Sequence, residues 1–225
     1  MLINKVVIQT CLLNETKDFY INKLKFNCIT SKNNSFTIEV GESLLEFVEA
    51  KEGTNPFYHF AFNVPSNQFQ KAKKWAQSIV KLTMEEGHDE IYFEFLDAHS
   101  FYFEDPSGNI VEFISRHSIS RKSVMPFSVQ SILNISEINL TTHDVFTVGK
   151  QLISNGILER NNNELINGLN FMGGKGCFIL LGPPNRKWLF SNKNAEIFPV
   201  VITIDNGKII IVNERGEIKI NSIKK

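Results

Sequence analysis

Apolar and polar residues alternate from Lys5 to Thr10, K-V-V-I-Q-T, which predicts a strand. Asn14 to Leu24 then places Phe19, Tyr20 and Leu24 at helical spacing. Short β-prone runs follow at Phe26 to Thr30, Ser35 to Val40 and Ser43 to Glu49, with Asn33-Asn34 and Gly41 as turn residues between them. The order is strand, helix, strand, strand, strand. It restarts at Tyr58 with Y-H-F-A-F-N-V, a helix from Asn67 to about Lys81 with Phe69, Ala72, Trp75, Ala76 and Ile79 on one face, and strands around Ile91 to Phe95, Ser100 to Glu104 and Ile110 to Ser115. A weaker copy begins at Glu137 with E-I-N-L-T-T. It continues with a helix from about Asp144 to Ser154 and strands near Ile157 to Arg160, Glu164 to Met172 and Gly176 to Leu181. After Ile197 only strand-like runs remain, F-P-V-V-I-T-I, K-I-I-I-V and E-I-K-I, a fourth copy without its helix.

Period-two alternation also assigns faces. Phe60, Phe62 and Val64 share one side of their strand, leaving His59, Ala61 and Asn63 on the other. By the same rule Val6 and Ile8 pack against a helix while Lys5, Val7 and Gln9 face away. Glu46 points away from Leu45 and Phe47, and Glu112 from Val111 and Phe113. Lys5, Glu46, His59 and Glu112 therefore hold equivalent places in two repeats. If those repeats pair about a pseudo-twofold axis, the four side chains converge. The predicted architecture is α+β: paired βαβββ modules forming a curved mixed β-sheet cup, with the helices outside.

Composition narrows the function classes. Lys plus Arg (24) balances Asp plus Glu (24), so no positive excess is available to neutralise phosphates, and a nucleic-acid partner is disfavoured. No long apolar run is present, and the start M-L-I-N-K-V-V-I-Q-T-C-L-L contains Lys5 and no small-residue cleavage site; a soluble, cytoplasmic protein without a membrane partner is expected. Cys11, Cys28 and Cys177 are odd in number and far apart, which argues against a disulfide framework or a thiolate zinc site. Up to His117 the chain carries 11 basic and 16 acidic residues, and beyond it 13 and 8, so net −5 gives way to net +5. Residues 118–130, S-I-S-R-K-S-V-M-P-F-S-V-Q, read as a linker. The expected division is a domain over 1–117, built of modules 1–52 and 53–117, then the linker and a divergent C-terminal domain over 131–225.

The stretch A-H-S-F-Y-F-E-D-P-S-G-N-I-V-E-F-I-S-R-H, Ala98 to His117, resembles the closing motif of the vicinal oxygen chelate superfamily, which includes glyoxalase I, fosfomycin- and bleomycin-resistance proteins and extradiol dioxygenases. Y-H-F-A-F at Tyr58 to Phe62 is similar to its metal-binding His strand, and E-T-K-D-F-Y-I-N-K-L-K-F at Glu15 to Phe26 to its first helix. The resemblance covers residues 1–117 well and the rest only as a pattern. It implies a small oxygenated ligand in a β-cup, a homodimer, and a divalent metal (zinc, nickel, manganese or iron) held by His59, Glu112 and Glu46. Glu112, Glu46 and Lys5 would then act in lyase, isomerase or dioxygenase-type chemistry, and Gln9, Asn63 and His99 would contact substrate.

Lys5 departs from the resemblance, because it stands where the first module's His belongs. An ammonium has donors and no lone pair, so beside a divalent cation it must deprotonate or turn aside. Two readings stay open. In one, His59, Glu112 and Glu46 hold a metal and Lys5 orients a substrate anion. In the other, Lys5 replaces the metal charge in a metal-free, sequestering binding protein. A Schiff-base lysine is disfavoured, since neighbouring carboxylates would raise its pKa. His88, His99, His117 and His143 form no i, i+4 pair, and His99 alone is placed to line the cup mouth. Gly173 to Cys177, G-G-K-G-C, lacks the first glycine and the Ser or Thr of a phosphate loop and predicts a hairpin turn.

Overall fold

In the computed structural model, which describes residues 1–222, all the strands join one mixed, 14-stranded open sheet. The first module is β1 (Ile3–Thr10), α1 (Leu13–Lys17) running on as a π-helical turn (Asp18–Lys23), β2 (Cys28–Lys32), β3 (Ser35–Val40) and β4 (Ser43–Glu49). The second is β5 (His59–Asn63), α2 (Phe69–Gln77), β6 (Ile91–Phe93), β7 (Ala98–Glu104) and β8 (Ile110–Arg116). The third, β9 (Asn134–Thr141), α3 (Val145–Ser154), β10 (Asn170–Gly174) and β11 (Cys177–Gly182), is one strand short: the expected strand at Ile157 to Arg160 keeps only a bridge from Glu159 to Met172. The tail supplies β12 (Val200–Ile204), β13 (Lys208–Val212) and β14 (Ile218–Ser222) without a helix. No helix among the described residues is long and apolar enough to cross a membrane.

Inside each full module the first strand runs parallel to the last: β1 to β4, β5 to β8, β9 to β11. Between modules the first strands meet antiparallel, and here the structure departs from the expected pairing of the first module with the second. β5 joins β9, and β1 joins β12. A single bridge between Ile3 and Ile135 ties the two pairs together.

Burial explains the choice of partner. Every residue of β5, β8 and β11 is buried, and β9 is buried from Ile135 onward, whereas β1, β4 and β12 alternate buried with half-buried positions. Strands covered on both faces belong together, as do strands with one face open to water. On the helix side, one apolar cluster runs from Ile3 through Phe62, Phe113 and Ile138 to Val212. Val129 and Ile132 belong to it, so residues 118–130 do not separate two independent cores. On the opposite face of the second and third modules a smaller cluster contains Tyr102, Phe178, Leu180, Trp188 and Phe190. Trp188 and Phe190 come from residues 183–199, which lie over that face. Ion pairs from Lys187 to Glu85 (2.8 Å) and Lys193 to Glu104 (2.9 Å) hold this cover down, and Tyr58 donates its hydroxyl to the Pro199 carbonyl at 2.7 Å.

A candidate metal centre under an aromatic cavity

The alternation that buries Phe60 and Phe62 sends His59 to the covered face. Beside it, β8 sends Glu112, Ile114 and Arg116 the same way, and β9 contributes Glu137. One ligand atom from each of His59, Glu112 and Glu137 lies within 4.8 Å of the other two, and all three residues are buried. The imidazole is oriented from behind: Nδ1 lies 3.1 Å from the Ile110 carbonyl, which accepts its proton and leaves Nε2 facing Glu112 (3.3 Å) and Glu137 (3.9 Å). The backbone N–H of His59 donates to Asn139 Oδ1 at 3.1 Å, fastening β5 to β9 at this point.

Arg116 neutralises part of the charge. Fully buried, it donates through Nη2 to Glu137 Oε1 and, at 3.1 Å, to Ser136 Oγ, while its guanidinium carbon sits 5.1 Å from the centre of the Phe178 ring. Ser136 is the extra residue where the β5–β9 register shifts, so an irregularity in the ladder brings its hydroxyl to Arg116. Burial opposes the charge on Glu137, but His59 and Arg116 outweigh it and hold this carboxyl below its usual range. For His59, burial pulls the pKa down, yet the bonds and charges of Glu112 and Glu137 win and raise it from 6.5 to about 9. The Tyr102 hydroxyl is pushed well up, first by burial and then by the charges of Glu112 and Glu137.

The turn after β7 sets the height of Glu112. Asp105 accepts from the Asn109 N–H (2.9 Å), the Asn109 side-chain amide (2.8 Å) and the Tyr20 hydroxyl (2.9 Å), and Asn109 Oδ1 accepts from the N–H of Tyr58 at 2.7 Å. D-P-S-G-N thereby locks the start of β8 against the start of β5. Above the three donors opens a cavity of about 230 Å³ with walls that include Phe93, Phe95, Leu169, Phe171, Leu180 and Trp188. Leu180 occupies on β11 the place that Glu112 occupies on β8, opposite Asn139 as Glu112 is opposite Ala61. Three protein donors facing an apolar hollow is the pattern of a metal site with open positions.

The structure does not bring Lys5 and Glu46 to this centre. They pair with each other at 2.6 Å on the half-open face of the first module, and neither lines the cavity. Because β5 takes β9 as its neighbour, Glu137 stands where Glu46 was expected, and the cation beside the carboxylates is Arg116 rather than Lys5. The residues expected to contact substrate lie elsewhere too. Asn63 donates to Asn134 (2.7 Å) and to the Gly176 carbonyl (2.9 Å), Gln9 meets the Tyr58 hydroxyl only through its backbone N–H (3.3 Å), and His99 bonds His117 at 2.7 Å against Tyr92 and Phe69. None of these three lines the cavity. Glu137 had a signal in the sequence, since E-I-N-L-T-T opens the third module as H-F-A-F-N opens the second. Arg116 had one as well, two strand steps beyond Glu112 on the same face. The G-G-K-G-C segment is the β10–β11 hairpin, with Lys175 (φ 57°) and Gly176 (φ 78°) both left-handed as a tight two-residue turn requires.

One protein family, described as toxoflavin-degrading enzyme, matches residues 135–186, a stretch that includes Glu137 and Leu180. None of the curated proteins matches the chain. Among solved structures, similarity extends to a lactoylglutathione lyase from Agrobacterium tumefaciens (15% identity, 50% of this chain and 91% of that one, TM-score 0.41) and to a glyoxalase/bleomycin resistance protein/dioxygenase from Nocardioides (14%, 56% and 89%, 0.43). A fosfomycin resistance protein from Listeria monocytogenes is similar at 16% identity over 55% of this chain and 91% of its own, with a TM-score of 0.39.

Proposed function

We propose that this chain is a cytoplasmic, divalent-metal-dependent enzyme of the vicinal oxygen chelate type, acting on a small oxygenated molecule held in the cavity between β8 and β11. The observation that carries the reading is the buried set His59, Glu112 and Glu137 on the floor of an otherwise apolar hollow. Two carboxylates are costly to keep in such a place unless a cation shares them. A neutral imidazole with Nε2 free and two carboxylate oxygens suits zinc, nickel, manganese or iron. When bound, such an ion supplies Lewis acidity and can gather two neighbouring oxygens of a ligand. The chain's own groups do the rest. Arg116 keeps Glu137 ionised and fixed, Glu112 is the freer carboxylate and the one placed to accept a proton, and the aromatic walls exclude water. Exposed, unpaired Cys11 and Cys28 fit a reducing compartment.

A second reading has its own support. With His59 protonated, His59 and Arg116 balance Glu112 and Glu137, so the floor closes its charge without metal, as a sequestering protein would. Metal analysis of protein purified without a histidine tag separates the two. Stoichiometric metal that disappears in His59→Ala and in Glu137→Gln but persists in Glu46→Gln supports the enzyme reading. Wild-type protein that stays metal-free after exposure to zinc, manganese, nickel and iron would overturn it in favour of the binder.

A further inference from the structure

Two guanidinium groups that form no ion pair among the described residues lie in and behind the cavity wall. Arg186, from the covering segment, lines the wall with its guanidinium carbon 3.9 Å from the centre of the Trp188 ring, and Trp188 in turn lies 4.7 Å from the His59 ring. Its Nε is buried with no hydrogen-bond partner, and its bond from Nη1 goes to the neighbouring Lys187 carbonyl at 3.2 Å. Among the described residues no carboxylate forms an ion pair with it. Arg160 repeats the arrangement one layer back, 5.0 and 5.2 Å from the rings of Phe95 and Phe171, which are themselves cavity walls, and its Nε and Nη1 are also buried and unpaired.

Covering apolar surface with an arginine stem accounts for the stacking on Trp188. It does not account for the donors, because a stacked guanidinium still presents five N–H groups in its own plane. Charge points the same way. A divalent cation is balanced by Glu112 and Glu137, which leaves Arg116 as a net positive charge in the floor; Arg186 adds a second at the wall. A neutral ligand would leave both uncompensated.

We infer that Arg186 is a specificity-determining residue that selects ligands bearing an anionic oxygen, a carboxylate or phenolate on a small aromatic ring. The inference rests on reading the cavity as the ligand site. Benzoate and benzamide have nearly the same shape and differ in charge, so they serve as probes in calorimetric titration of the full chain saturated with manganese(II). Wild type is expected to prefer benzoate by about tenfold or more. Arg186→Gln should remove most of that preference without changing bound metal, and Arg186→Lys should restore part of it. Equal binding of the two probes by wild type, or binding of neither, would overturn the inference, as would a preference that survives Arg186→Gln. If that surviving preference vanishes in metal-depleted Glu137→Gln, the anion is held by the metal, and the metal reading stands while the role of Arg186 falls. Should wild type take up no metal yet show an Arg186-dependent preference, the inference holds and the metal reading fails.

Discussion

On the proposed reading, a proton and a divalent cation would compete for one lone pair of His59. The folded-state pKa of about 9 lies above the ordinary 6.5, so without metal this group stabilises the fold fully below about pH 6.5, and the contribution disappears as pH rises through about 9. Urea unfolding of the metal-free chain should lose about 2–3 kcal/mol between about pH 7 and pH 9.5 relative to His59→Gln, and an unchanged difference would show that the imidazole is not held by its two carboxylates. Metal loading should reverse the trend, because the ion binds only the neutral ring and its added stability grows with pH. At this scale the sequence was legible in part. Period two placed His59 and Glu112 on the covered face correctly. It could not choose Glu137 over Glu46, since both are glutamates at polar positions of well-formed strands, and only the neighbour taken by β5 decides between them.

Elements were more legible than residues. The limits of β3 and β4 follow from β-prone runs bounded by the turn residues Asn33-Asn34 and Gly41, and Asp144 caps α3 by accepting from the Thr147 N–H at 3.0 Å. Where the sequence misled, a competing local force was at work. The helix expected from Asn14 to Leu24 starts as an α-helix and widens at Asp18 into a π turn that carries Phe19 and Tyr20 into the core, and the strand expected after Ile157 is reduced to a bridge. The D-P-S-G-N turn shows how an element serves the site. Asn109 spans from Asp105 to the N–H of Tyr58, one residue before His59. Replacing it by alanine leaves a buried carboxylate and a buried N–H short of partners. Asn109→Ala should therefore cost about 2–3 kcal/mol in urea unfolding and weaken metal binding, while Asn192→Ala, an exposed change in the covering segment, should do neither. A full-strength metal site in Asn109→Ala would detach the turn from the centre.

For the whole molecule, the modular order was readable and the pairing was not. Repeats at Lys5, Tyr58 and Glu137 stand out by pattern, but partner choice depends on which strands are covered on both faces, and the cover, residues 183–199, has no period to detect. The consequence is testable by cutting the chain. A fragment of residues 1–117 contains β1 without β12 and β5 without β9, so it should remain unfolded or aggregate by circular dichroism and sedimentation and bind no metal. A monomeric, cooperatively melting fragment would mean that the first two modules can satisfy each other. The same pairing sets an order of events on the ribosome. β1 emerges long before its neighbour β12, so the nascent chain carries an unpartnered edge over that interval while β5 and β9 can already zip together. Chaperone dependence should therefore concentrate at β1, away from the strands that carry His59, Glu112 and Glu137.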